Sequence, residues 1–170
     1  MIISLLGYMG SGKSHVSKIL SEKLGFGFID LDNAIAEKHQ LSVAEIFRKK
    51  GEIYFRKEEK AVLEEILQNE NSVILSLGGG TPVYYNNMDV INEKSTSVFL
   101  RTSVPVLAKR LLPEKEKRPL ISRIADEDLP EFIAKHLFER NTFYNKAQII
   151  IDTDSKTPSE IADEIISGLP

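Results

Sequence analysis

The run GYMGSGKS, from Gly7 to Ser14, restricts the possible folds of this chain more than any other segment. It matches the spacing G-x-x-x-x-G-K-[S/T]. It also sits between a short apolar run, IISLL at 2–6, and the helical spacing of Val16, Ile19, Leu20 and Leu24. Glycines so placed let the backbone curl until successive N–H groups face one anion, and the N-terminus of the helix that follows adds positive potential. Lys13 then reaches the β- and γ-phosphates of a nucleoside triphosphate, and Ser14 offers its hydroxyl to Mg2+. A strand behind this loop and a helix ahead of it are what the mechanism demands.

The rest of the chain continues that alternation. Further apolar runs bounded by turn residues occur at 25–30, 72–77, 96–100 and 147–152, each expected to be a strand buried on both faces. Between them lie stretches whose apolar residues recur every three or four positions, one face per helix. Two helix starts carry capping boxes, Ser42 with Glu45 and Thr157 with Glu160, the latter with Pro158 at the first helical position. Strands alternating with helices predict right-handed βαβ units and a three-layer α/β domain around a mostly parallel sheet. At 170 residues and 42% hydrophobic content, the chain fits a single domain spanning 1–170.

Two segments exceed what simple crossovers require. Residues 31–71 are all helical in pattern and rich in charge, and 112–130 is irregular, with three prolines and charges of both signs. Long insertions of this kind supply binding elements and lids. A GTPase would show N-K-x-D before the last strand, but NKAQ at 145–148 has Gln148 in place of the aspartate. A small-molecule kinase needs an acceptor pocket, a base and a cationic lid, and the two surplus segments are the candidates. The 22 basic and 25 acidic residues leave a formal charge of -3, which argues against a broad nucleic-acid surface. Without cysteine there is no disulfide framework, and the cytoplasm is the expected compartment. The first residues read as a buried strand rather than a leader or membrane span. The scattered His15, His39 and His136 have no metal-ligand spacing.

A second polar feature is FIDLD, Phe28 to Asp32, with two carboxylates two residues apart. In an extended segment Asp30 and Asp32 share one face, while the plainer reading is a strand running out into a turn, where Asp is common. In a parallel α/β sheet they fall at the carboxyl end of a strand, where ligands gather.

The motifs GYMGSGKS, FIDLD, GEIYFRKEE, SLGGG, KRPL and ERNTFYNKA occur in the order and approximate spacing of shikimate kinases, and the resemblance covers nearly the whole chain. It implies a P-loop kinase fold with a five-stranded parallel sheet in the order 2-3-1-4-5. An acceptor-binding insertion would lie at about 31–60 and a lid at about 112–124. The implied activity is transfer of the ATP γ-phosphate to the 3-hydroxyl of shikimate, with Mg2+ as cofactor and no nucleic-acid or membrane partner; a monomer is expected. Gluconate kinases and nucleoside monophosphate kinases share the scaffold, and a non-catalytic nucleotide-binding module stands as the alternative of another class.

By the same resemblance Gly10, Ser11, Gly12, Lys13, Ser14 and His15 hold nucleotide phosphates, and Arg110 and Pro158 sandwich the adenine. Ser14 and Asp30 serve the metal. Asp32 accepts from the acceptor hydroxyls and is the candidate general base. Arg56 and Arg140 grip the acceptor carboxylate, Gly78, Gly79 and Gly80 line its ring, and Arg118 is the lid arginine, catalytic along with Lys13 and Asp32. Phe47 and Phe55 match pocket walls. The chain departs from the family pattern R-x-P-x-Y at Thr142, which stands where proline is expected.

Overall fold

The computed structural model describes all 170 residues. Five strands, β1 (Ile2–Leu6), β2 (Gly27–Asp30), β3 (Val73–Ser76), β4 (Thr96–Arg101) and β5 (Ile149–Asp152), form one sheet in the order β2-β3-β1-β4-β5. Every pairing is parallel. The helices are α1 (Lys13–Leu24), α2 (Leu31–His39), α3 (Val43–Lys50), α4 (Glu52–Asn69), α5 (Asn87–Lys94), α6 (Val104–Leu111), α7 (Leu129–Tyr144) and α8 (Pro158–Gly168). Three-residue 3-10 turns occur at Thr81–Val83 and Asp126–Asp128, and a longer one at Leu112–Lys117. No helix is long and apolar enough to cross a membrane.

The sheet separates two cores. On one face Val16 and Leu20 of α1 and Ile161, Ala162 and Ile165 of α8 pack against Ile3, Leu5, Ile74, Val98 and Leu100. The opposite core is larger and draws on α2 through α7, and it also holds Ile121 from the segment after α6. This asymmetry follows from where the surplus sequence goes: α2, α3 and the first half of α4 all stack on the same side.

Only β1, β3 and β4 are almost wholly buried. The expectation that all five strands are buried on both faces fails for β2 and β5, because the strand order puts them at the sheet edges. Gly27 is exposed, and in β5 only Ile151 is buried. The strands are also shorter than their apolar runs. Gly25 ends α1 in the left-handed region at φ 67°. Before β5 the Gln148 side-chain oxygen accepts from Ser97 N–H at 3.2 Å, and Gln148 N–H donates to Ser97 Oγ at 2.9 Å. Side chains thus replace ladder bonds at that end.

Both capping boxes form as expected, Ser42 with Glu45 at α3 and Thr157 with Glu160 at α8. The segment FIDLD is extended only as far as Asp30, closer to a strand running out into a turn than to an extended run through Asp32. The chain turns at Asp30, whose carboxylate accepts from Asn33 N–H at 3.0 Å and caps α2. Asp32 therefore lies in the first turn of a helix. An N-cap places the residue after next on the helix rather than on the strand face, so the alternation of side chains stops at Asp30.

Candidate active site

The loop after β1 has the backbone that its glycines permit. Gly10 and Gly12 have φ of 83° and 92°, a region costly for other residues. A methyl group on Gly10 would lie 3.1 Å from Leu111 of α6. Gly12 is the N-cap of α1 and offers no side-chain cap, and the first turn of that helix has no acidic residue. The free N–H groups there are an anion site by geometry. Lys13 Nζ lies against the loop, donating to the carbonyls of Gly7 at 2.7 Å and Tyr8 at 3.1 Å.

A cleft of about 720 Å³ opens along this loop and the carboxyl ends of β1, β2 and β3. Lining it are Gly10 through His15, Asp30, Asp32, Gly78, Gly79, Arg110, Arg118 and Pro158. Most of the residues read from the sequence thus converge on one space, at the strand ends where the topology predicts it. Arg56, Arg140 and Gly80 do not line this cleft; they meet at the turn after β3.

That turn explains the triple glycine. A methyl on Gly78 would stand 3.0 Å from Asp32 Oδ1. On Gly79 it would meet Arg140 Nη1 at 2.8 Å, and on Gly80 both terminal nitrogens of Arg56 at 2.8 Å. Side chains at those positions would displace the very groups the site contains, which is a more specific reason for three glycines than open access for a ligand. Tyr144 secures the turn by donating to the Gly79 carbonyl at 2.5 Å.

Each arginine is held differently. Arg56 Nη1 donates to Glu59 at 3.0 Å, and Glu59 is 1% exposed and also accepts from Thr81 Oγ1 at 2.8 Å. Phe47 and Phe55 pack at 4.5 Å between ring centroids, and the Arg56 guanidinium carbon lies 5.8 and 5.3 Å from them. Arg140 is free of carboxylates: its Nη1 donates to Tyr144 Oη at 3.5 Å, and its guanidinium lies 5.7 Å from the Tyr8 ring. Arg118 closes on Glu114, with Nη2 at 3.0 Å and Nε at 3.3 Å. Arg110 donates to the Gly10 carbonyl at 3.0 Å. Glu59 and Glu114 lie outside the site residues expected from the sequence; they stand three or four residues from their arginines, within one helical turn, and that spacing is the signal for the contacts.

The charges perturb one another. Burial pushes the Asp32 carboxyl up to about 6; Asp30 and Glu59 add to this while Lys13 and Arg56 oppose it. Burial also lowers Lys13 to about 8, opposed chiefly by Asp32. The Asp32 carboxylate makes no hydrogen bond within the protein, so its oxygens are available to a ligand. Between about pH 4 and pH 6 the folded chain holds the Asp32 proton more tightly than the unfolded chain does. Stability therefore falls as pH rises through that window and stays lower above it. In the ligand-free protein, Asp32→Asn is expected to gain about 1–2 kcal/mol at pH 7–8, discounted for partial solvation, and nothing near pH 4. Thermal unfolding at the two pH values reads this directly.

The family model for shikimate kinase matches residues 9–170. The chain belongs to the shikimate kinase family. It is 45% identical to the shikimate kinase of Flavobacterium johnsoniae over 168 residues, 98% of each chain. Among solved structures, it resembles the shikimate kinase of Bacteroides thetaiotaomicron with a TM-score of 0.89 at 36% identity, covering 98% of this chain and 95% of that one. It resembles the shikimate kinase of Acinetobacter baumannii in complex with shikimate with a TM-score of 0.88 at 30% identity, covering 98% and 90%. Where the shikimate kinase pattern R-x-P-x-Y has proline two residues after its arginine, α7 of this chain runs unbroken through Thr142 to Tyr144. The helix keeps Arg140 and Tyr144 one turn apart and on one face, so the substitution leaves their contact intact.

Proposed function

We propose that the chain transfers the γ-phosphate of ATP to the 3-hydroxyl of shikimate, giving shikimate 3-phosphate and ADP on the route to chorismate and the aromatic amino acids. The observation that carries this reading is the convergence on one turn of a carboxylate without a partner, Asp32, and two guanidinium groups, Arg56 and Arg140, beside the phosphate loop. Shikimate presents a planar carboxylate at one end and hydroxyls at the other. A pair of arginine forks suits the first and Asp32 the second.

In this reading Gly10 through His15 cradle the phosphates, Arg110 and Pro158 flank the adenine, and Lys13 leaves the Gly7 and Tyr8 carbonyls for the β- and γ-phosphates. Asp32 orients the 3-hydroxyl and takes its proton as the oxygen attacks the γ-phosphorus; the bond to the β-γ bridging oxygen breaks and ADP departs. A carboxyl held near 6 is suited to that duty at neutral pH. Arg118 turns from Glu114 to the transferring phosphoryl group, with 112–124 as its lid and 31–60 as the acceptor insertion.

Mg2+ fits the donors present. Ser14 carries an exposed hydroxyl without a protein partner, and Asp30 spends only Oδ1 on its cap. No group of three acidic or histidine side chains forms a cage, which suits an ion that shares phosphate oxygens and water. When bound, Mg2+ would offset charge on the β- and γ-phosphates. The reading has the protein acting as a cytoplasmic monomer without nucleic-acid or membrane partners, in keeping with its formal charge of -3 and lack of cysteine.

An assay of ADP release across shikimate, gluconate and nucleoside monophosphates tests the assignment. Saturable turnover is expected with shikimate alone; turnover with gluconate or a nucleotide and none with shikimate would overturn it.

A further inference from the structure

The Arg56 guanidinium forms ion pairs with two carboxylates but hydrogen-bonds only one. Nη1 donates to Glu59 at 3.0 Å, whereas Nε is buried without a hydrogen-bond partner and lies 3.8 Å from Glu52 Oε1, beyond hydrogen-bond range. That same Oε1 accepts a hydrogen bond from the Tyr84 hydroxyl at 2.8 Å. The Tyr84 ring lies under the guanidinium with its centroid 4.0 Å from the guanidinium carbon. Gly80, four residues before Tyr84, is where a methyl would collide with both terminal nitrogens. The turn from Gly80 to Tyr84 therefore wraps Arg56 on two sides and leaves Nη2, like Nε, without a hydrogen bond within the protein.

We propose that Tyr84 is a positioning residue for acceptor binding: its ring fixes the plane of the Arg56 guanidinium, and its hydroxyl holds Glu52 away from Nε. This rests on the assignment of Arg56 to the acceptor carboxylate. A buried donor without a partner attracts any carboxylate within reach, and Glu52 is the nearest candidate. Glu52 is already an ion-pair partner at that distance; were it to close the remaining gap, Arg56 would be hydrogen-bonded to two carboxylates instead of one and its pull on a third would fall. The Tyr84 hydroxyl prevents this by giving Glu52 a donor of its own. Burial, with the bond to Glu52 next, raises the Tyr84 pKa, so that donor keeps its proton at neutral pH.

The two functions of the side chain separate by substitution. Tyr84→Phe keeps the stack and frees Glu52; the acceptor KM is expected to rise about fivefold, with kcat and the KM for ATP within about twofold of the parent. Glu52→Gln alone leaves the acceptor KM within about twofold. Combining Glu52→Gln with Tyr84→Phe returns the acceptor KM to that level, a rescue that a merely structural role for Tyr84 does not produce. Tyr84→Leu loses stack and hydroxyl together, and about a tenfold or larger rise is expected, only partly relieved by Glu52→Gln. Arg56→Lys serves as the reference. If Arg56→Lys raises the acceptor KM and Tyr84→Phe does not, or if the double variant is no better than Tyr84→Phe, the inference on Tyr84 is overturned alone. If Arg56→Lys has the parental acceptor KM, the assignment of Arg56 fails and the inference with it.

Discussion

Replacing Lys13 with alanine is expected to reduce phosphoryl transfer by about a hundred- to a thousandfold while leaving the fold intact. The ammonium is partly withdrawn from water, and within the protein it bonds only two backbone carbonyls. Its lowered pKa, about 8, shows that the folded chain gains nothing from holding this charge. Its removal therefore costs little stability. In the proposed transfer, what is lost is a point charge at the place where the β- and γ-oxygens collect negative charge, an interaction that closing the lid over the cleft would strengthen by excluding water. ATP affinity should fall much less than turnover, because the loop N–H groups and the uncapped start of α1 are untouched. Single-turnover measurements at saturating ATP separate the two effects, and near-normal transfer by Lys13→Ala would remove Lys13 from the mechanism.

Asp32→Asn is expected to lower kcat by about a hundredfold or more, within the range for loss of a general base, with a smaller rise in the acceptor KM. Asparagine preserves the shape and one acceptor oxygen, so orientation of the hydroxyl largely survives while its proton has nowhere to go. The same variant should be the more stable protein at neutral pH, since it removes a carboxylate that burial, Asp30 and Glu59 all disfavour. Gain of stability together with loss of turnover is the pattern of a group held in place for chemistry. A variant with parental kcat would leave Asp32 a role in orientation alone.

Much of this was legible along the chain because its signals are local. The phosphate loop is eight consecutive residues whose glycine spacing has a direct backbone meaning, and the capping boxes at Ser42 and Thr157 are likewise complete within four residues. Family likeness extended the reading to Arg56, Arg118 and Arg140. The pairing of Asp30 with Asp32 was legible only as spacing. That one caps a helix and the other rides on its first turn depends on where the chain bends, and Asp30 makes that choice through a single bond to Asn33 N–H. Edge exposure of β2 and β5 was equally hidden, since an apolar run reads the same at the edge of a sheet as at its centre.

The amino-acid sequence by itself determined the strand-loop-helix at the phosphate site, the α/β class and the residue types available for transfer, because each depends on neighbours within one or two turns of chain. Tertiary structure alone decided the rest. It brought Arg56 of α4 and Arg140 of α7 to a turn of three glycines that neither helix adjoins in sequence, and it buried Glu59 to hold one of them. It also raised the Asp32 pKa to about 6. Electrostatic work depends on distance and dielectric through space, and for this site both are products of how the helices stack on the sheet.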